Sequence, residues 1–107
     1  MDIPIEIEVT EAARLAKQPD TVLLDVREPY ELAICQLNGS LNIPMRSVPG
    51  RLAEIPRDQR ILVLCHVGAR SLRVTEFLRA NGYTNVSNIA GGTEAWSQEV
   101  DPGLARY

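Results

Sequence analysis

Ile61-Leu62-Val63-Leu64-Cys65-His66-Val67-Gly68-Ala69-Arg70-Ser71 joins four consecutive apolar residues to a short loop and the start of a helical pattern. A continuous apolar run with β-branched members suits a strand covered on both faces, as in a parallel sheet with helices on either side. Thr21-Val22-Leu23-Leu24-Asp25-Val26 reads the same way, so the two runs predict central parallel strands. Ser71 to Ala80 carries Val74, Phe77 and Leu78 at helical spacing and stops at Asn81-Gly82. Strands alternating with helices predict an α/β domain.

The flanking segments extend this pattern in both directions. Ile3, Ile5, Ile7 and Val9 alternate with Pro4, Glu6 and Glu8, which predicts an edge strand, since Pro4 cannot donate to a ladder. Thr10-Glu11 then starts a helix with Ala12, Ala13, Leu15 and Ala16 toward the core, closed by Pro19-Asp20. Pro29 to Ile34 and Ser47 to Ile55 read as short helices on either side of a loop through Ile43-Pro44. Asn85 to Ile89 reads as a strand, and Gly91-Gly92-Thr93 precedes a helix containing Ala95 and Trp96. A polar tail runs from Asp101 to Tyr107.

A chain of 107 residues with 45% hydrophobic content suits one domain over 1–107 with one core. Eleven Lys and Arg against fourteen Asp and Glu leave a formal charge of −3, which argues against broad attraction to nucleic acid or anionic lipid. No apolar stretch approaches the roughly 18 residues of a membrane span, and Met1 to Glu6 lacks the basic-then-apolar order of a leader. The expectation is a soluble cytoplasmic protein. Cys35 and Cys65 lie thirty positions apart without a CxxC spacing, and His66 is the one histidine, so structural zinc is disfavoured. Free thiols are expected, with a disulfide left open.

In an open parallel sheet, ligands bind beyond the carboxyl ends of the strands, where Cys65 to Ser71 falls. Gly68 and Ala69 keep this turn small, so the N–H groups of His66, Val67, Gly68, Ala69, Arg70 and Ser71 can converge on an anion. A Cys65 thiolate is such an anion, and these surroundings favour it as a nucleophile. Arg70 in the first turn of a helix opposes the dipole by roughly 0.3–1 kcal/mol unless an anion compensates it, a role assigned to an anionic substrate. His66 reads as a general base or as a loop residue shaping the substrate mouth; adjacency does not aim its ring at the sulfur, which favours the second. Ser71 either caps the helix or donates to the sulfur.

The order Asp25-Val26-Arg27-Glu28, then Asn38-Gly39-Ser40-Leu41-Asn42-Ile43-Pro44, then the Cys65 loop, then Gly91-Gly92 with Trp96, resembles the rhodanese family of sulfurtransferases over nearly the whole chain. The resemblance implies a rhodanese fold, a central five-stranded, mainly parallel sheet flanked by helices on both faces. It implies that Cys65 takes a sulfane sulfur from thiosulfate or a persulfide donor and becomes a persulfide. The sulfur then passes to an acceptor, cyanide in vitro and a thiol or sulfur-carrier protein in the cell, with no cofactor beyond that covalent intermediate. It makes Asp25 and Arg27 a supporting polar network at the end of the second strand.

Phosphatases and arsenate reductases of the same architecture have a longer loop than the four residues between Cys65 and Arg70, and the shorter loop favours sulfur over a phosphoryl group. A rhodanese-like docking or regulatory module is the other alternative, but such modules commonly lack the Cys. Where many relatives carry Gly-His, this chain has Cys35-Gln36; Cys35 reads as a small packed residue, with a thiol that resolves the persulfide as the alternative. Trp96 to Pro102, with Arg106-Tyr107, is similar to the end of rhodanese domains fused to E1-like adenylating proteins of the MoeB/ThiF type. That likeness implies a ubiquitin-like sulfur carrier as partner, with an E1-like adenylating enzyme acting in trans.

Overall fold

Strand β2 (Thr21–Asp25) pairs in parallel with β4 (Arg60–Leu64) from Thr21↔Arg60 to Asp25↔Leu64, and this pair is the centre of the sheet. The computed structural model describes residues 3–107; Met1 and Asp2, part of the leader reading and of the 1–107 domain bounds, lie outside the described residues. Strands β1 (Glu6–Ile7), β3 (Leu41–Asn42) and β5 (Val86–Ile89) complete the sheet in the order β1-β5-β4-β2-β3, every pair parallel.

Successive β4 side chains alternate between two apolar layers. Ile61, Val63 and Cys65 join Leu24, Val26, Val74 and Leu78 on the face covered by α3 (Ala69–Ala80) and two 3-10 turns, Met45–Ser47 and Pro49–Glu54. Leu62 and Leu64 join Val9, Ala12, Ile89 and Trp96 on the face covered by α1 (Val9–Ala16) and α4 (Gly92–Glu99). Both faces of β4 are dry, which is why its sequence is a run rather than an alternation. The remaining helix, α2 (Pro29–Leu32), is a single turn after β2, begun by Pro29 at its first position. Among the described residues no helix is long and apolar enough to cross a membrane.

Several boundaries differ from the sequence reading. The edge strand is two residues long, because Val9 belongs to α1, where it is buried with Ala12 one turn on. Thr10 is exposed and caps nothing; Glu8 stands at the cap position without a side-chain bond. The helix expected over Ser47 to Ile55 is instead the pair of 3-10 turns, with Arg51 out of helical geometry at φ −126°, ψ 23°. Helix α3 starts at Ala69, two residues before Ser71, and α4 starts at Gly92. Strand β3 lies inside the segment read as loop.

Candidate active site

Cys65 follows the last residue of β4 and is fully buried. Its Sγ accepts hydrogen bonds from the Gly68 N–H (3.1 Å), the Ser71 N–H (3.4 Å) and the Ser71 hydroxyl (3.2 Å). Ser71 thus donates to the sulfur and makes no cap. Three donors on one sulfur suit a negative charge there, and they are held in place before any substrate arrives. Gly68 makes the turn with φ +104°, a conformation that an L side chain rarely adopts.

The first two carbonyls of the loop, those of Cys65 and His66, point into α4. Thr93 N–H donates to Cys65 O (2.9 Å) and Glu94 N–H to His66 O (3.0 Å). Gly92 has φ +58°, and a Cβ on it would land inside contact distance of both carbonyl oxygens. The Gly91-Gly92 pair is therefore where helix and loop backbones touch. Asn88 of β5 adds a brace, its Nδ2 donating to Gly68 O (3.1 Å) and to Glu6 Oε2 (2.8 Å).

Arg70, about one-third exposed, lies in a two-pronged ion pair with Glu31, both N···O distances 2.7 Å. This corrects the expectation that substrate compensates its charge, since Glu31 of α2 already does so. Glu31 is 2% exposed and also accepts from the Glu28 N–H (3.0 Å) and the Tyr107 hydroxyl (2.7 Å). Arg70, then the Glu28 amide and Tyr107, outweigh burial and hold the Glu31 carboxyl down to about 2. The pairing in turn raises Arg70 above its ordinary value.

His66 lies at the mouth, its ring stacked on Tyr107 with centroids 3.9 Å apart and planes 13° from parallel. Its Nε2 is buried and has no hydrogen-bond partner among the described residues. Val67 is 58% exposed beside it, and Ala69 is exposed at the start of α3. His66, Val67, Glu94, Arg106 and Tyr107 border an open groove of about 570 Å³.

Asp25 and Arg27 form a buried pair at the end of β2, with Arg27 Nη2 2.7 Å from Asp25 Oδ2 and Nε 3.0 Å from Oδ1. Arg27 also donates to Cys35 O (2.9 Å) and to the Tyr107 hydroxyl (3.1 Å). Asn42 Nδ2 ties Asp25 O (2.9 Å) and Arg27 O (3.1 Å), anchoring β3. Neither side chain bonds to Cys65; the pair reaches the Arg70 side through Tyr107 and Glu31. Cys35 and Cys65 are both free thiols, and the Cys35 sulfur faces Arg27 Nη1 at 3.6 Å. Among the described residues no three His, Cys, Asp or Glu side chains converge as a metal site requires.

Sequence reasoning missed Glu31, Tyr107 and Asn88. Glu31 has one faint signal, an acid three positions after Glu28 in a helix opened by proline. Tyr107 and Asn88 have none, because their partners lie far along the chain.

The chain is similar to known proteins in sequence and in fold. The sequence model of the rhodanese-like domain matches residues 8–99. A protein named sulfurtransferase from Allochromatium vinosum is 38% identical over 92 residues, 86% of each chain. Adenylyltransferase and sulfurtransferase MOCS3 of Arabidopsis thaliana is 32% identical over 87% of this chain, which spans only 24% of that longer protein. The crystal structure of a rhodanese-related protein from Thermoplasma volcanium superposes with a TM-score of 0.81 at 32% identity, covering 89% of this chain and 92% of that one. With the five-stranded parallel sheet and the family match in agreement, the chain belongs to the rhodanese-like domain family, whose sulfurtransferase members connect it with sulfur transfer.

Proposed function

We propose that this chain is a cytoplasmic rhodanese-type sulfurtransferase that carries sulfur on Cys65. The observation that carries the reading is the convergence of the Gly68 amide, the Ser71 amide and the Ser71 hydroxyl on one sulfur at the end of a buried strand. Donors so placed stabilise a thiolate before reaction and accommodate negative charge on a sulfur bonded to it afterwards.

In the first half-reaction the Cys65 thiolate attacks the outer sulfur of thiosulfate. A bond forms between Sγ and that sulfur while the sulfur–sulfur bond of thiosulfate breaks, and sulfite departs with the electron pair. In the second, a nucleophilic acceptor attacks the terminal sulfur of the persulfide and Cys65 leaves as thiolate. Cyanide serves in the test tube and a thiol in the cell. Where the acceptor is a ubiquitin-like sulfur carrier adenylated in trans by an E1-like enzyme, the polarity reverses: the Cys65 persulfide attacks the acyl carbon as AMP leaves, and a reducing thiol then cleaves the sulfur–sulfur bond to free the carrier thiocarboxylate. A low-molecular-weight or protein persulfide donates by the same displacement, a thiol leaving in place of sulfite. The cycle needs no cofactor, because every step is a nucleophilic displacement by a thiolate, a persulfide or the acceptor. The MOCS3 relatives, named as joint adenylyltransferases and sulfurtransferases, support the carrier reading. Two buried free thiols support a reducing compartment.

Intact-protein mass spectrometry after incubation with thiosulfate tests the assignment. The expected result is a gain of one sulfur atom in wild type, removed by cyanide, and none in Cys65→Ser. Sulfur uptake by Cys65→Ser would move the carrier elsewhere. No uptake by wild type from thiosulfate or from any persulfide would leave the fold to a docking role.

A further inference from the structure

We propose that Tyr107 is a positioning residue of the sulfur-transfer site: its ring holds the His66 side of the Cys65 loop, and its hydroxyl fixes Glu31 and through it Arg70. The inference rests on the reading of Cys65 as sulfur carrier.

The segment that delivers Tyr107 follows a defined path. The Val100 and Asp101 N–H groups both donate to Trp96 O (2.9 Å each), Leu104 N–H donates to Asp101 O (3.0 Å), and Asp101 Oδ1 accepts from the Gly103 N–H (2.9 Å). Leu104 packs on the apolar layer around Leu62 and Leu64, and Arg106 pairs with Glu94 of α4. Tyr107 arrives over the loop with its ring nearly parallel to His66, the residue after Cys65.

The hydroxyl is a junction. It donates to Glu31 Oε2 (2.7 Å) and accepts from Arg27 Nη1 (3.1 Å), joining the buried Asp25–Arg27 pair to the Glu31–Arg70 pair. Each Glu31 oxygen receives one Arg70 N–H and one further donor, the Glu28 N–H on Oε1 and the Tyr107 hydroxyl on Oε2. A carboxylate's terminal torsion is soft, and a forked pair with a guanidinium needs both oxygens in one plane. Without the hydroxyl, Glu31 is fixed at one oxygen, and the plane that aims Arg70 is free to turn. Arg70 is the cation beside Cys65, so its aim bears on how an anionic donor such as thiosulfate is held. Tyr107 is itself 37% exposed and outside both apolar layers, so replacing it perturbs the site more than the fold.

Steady-state transfer from thiosulfate to cyanide by full-length wild type, Tyr107→Phe and Tyr107→Ala tests this, beside urea unfolding and the mass measurement of sulfur uptake. Tyr107→Phe keeps the stack and loses the junction; its KM for thiosulfate is expected to rise about fivefold with kcat within about twofold. Tyr107→Ala loses both, and kcat/KM is expected to fall by about tenfold or more with an unfolding midpoint close to wild type. A purely stabilising role would shift the midpoint and leave the KM of folded Tyr107→Phe unchanged. The proposal is overturned by kcat/KM within twofold of wild type in both variants, or by a Tyr107→Phe loss confined to kcat. Should Tyr107→Ala fail to fold, Tyr107→Phe alone decides. If wild type takes up sulfur and both variants match it, only the role of Tyr107 falls; if wild type takes up none, the Cys65 reading falls and this inference with it.

Discussion

Replacing Glu31 by Gln should destabilise the protein by an amount that depends on pH in a calculable way. The carboxylate accepts four hydrogen bonds, from the Glu28 amide, both Arg70 nitrogens and the Tyr107 hydroxyl. A Gln amide accepts at its oxygen alone and turns its NH2 group toward donors. The carboxyl is held at about 2 against an ordinary value of 4.5. At about 1.4 kcal/mol for each pH unit, that gap corresponds to about 3 kcal/mol. Arg70 is one-third exposed, and solvent screening reduces the expected effect to about 2 kcal/mol.

The folded value lies below the unfolded one, so this stabilisation is complete above roughly pH 5 and is lost as pH falls from 4.5 toward 2. Glu31→Gln has no such titration. The stability gap between the two proteins should therefore be about 2 kcal/mol at neutral pH and shrink by more than half by about pH 3. Urea unfolding followed by the fluorescence of Trp96, the single tryptophan and a member of the core, measures it. Carboxyls common to both proteins cancel in the difference. A gap that stays constant between neutral pH and about pH 3, or is below about 0.5 kcal/mol at neutral pH, refutes the assignment of Glu31 as the buried partner of Arg70.

Ser71→Ala removes one of three donors to the Cys65 sulfur and should lower kcat for sulfur transfer about tenfold, with stability changed by no more than about 1 kcal/mol; an unchanged kcat would show the hydroxyl to be idle. Gly92→Ala drives a methyl group against the Cys65 and His66 carbonyls at positive φ and should cost about 3 kcal/mol or more in urea unfolding while abolishing sulfur uptake. A wild-type midpoint in that variant would mean that the loop and α4 are not in backbone contact. Cys35→Ser should keep sulfur transfer within about twofold of wild type, since the Cys35 sulfur faces Arg27 and not Cys65; lost transfer would make Cys35 part of the chemistry.

The parts of this fold legible in the sequence are those whose environment is uniform along the chain. β4 is buried over most of its length and no residue of β2 is exposed, so an apolar run identifies them without knowledge of their neighbours. β3 was hidden because it comprises only Leu41 and Asn42, and its extended form is imposed by pairing with Leu24 and Asp25 and by the two bonds of the Asn42 amide. Val9 satisfies two periods at once, alternation with Ile3, Ile5 and Ile7 and a helical step to Ala12, and burial beside Ala12 decided for the helix. At the site, the Cys65 loop is a local object and reads as one. The partner of Arg70 is 39 positions away, and that of Glu31 a further 76, distances at which neither spacing nor propensity carries information.

The loop's chemistry depends on a brace that itself touches no sulfur. The Gly68 and Ser71 amides face the sulfur, whereas the Cys65 and His66 carbonyls that open the loop point toward α4. Left in an apolar layer, such carbonyls would each be an unsatisfied buried acceptor, and the loop would relax to remove them. Helix α4 answers that need, because the first N–H groups of a helix have no partners within it. Thr93 and Glu94 spend theirs on Cys65 O and His66 O. The helix can come this close only if its first residue lacks a side chain, which is the requirement Gly92 meets. Two sets of orphan groups, the outward carbonyls of the loop and the leading amides of α4, thus satisfy one another. The inward amides of Gly68 and Ser71 remain for the sulfur. Gly92, which touches no sulfur, is on this account the reason the cradle keeps its shape, and sulfur transfer should be more sensitive to Gly92 than to Ser71.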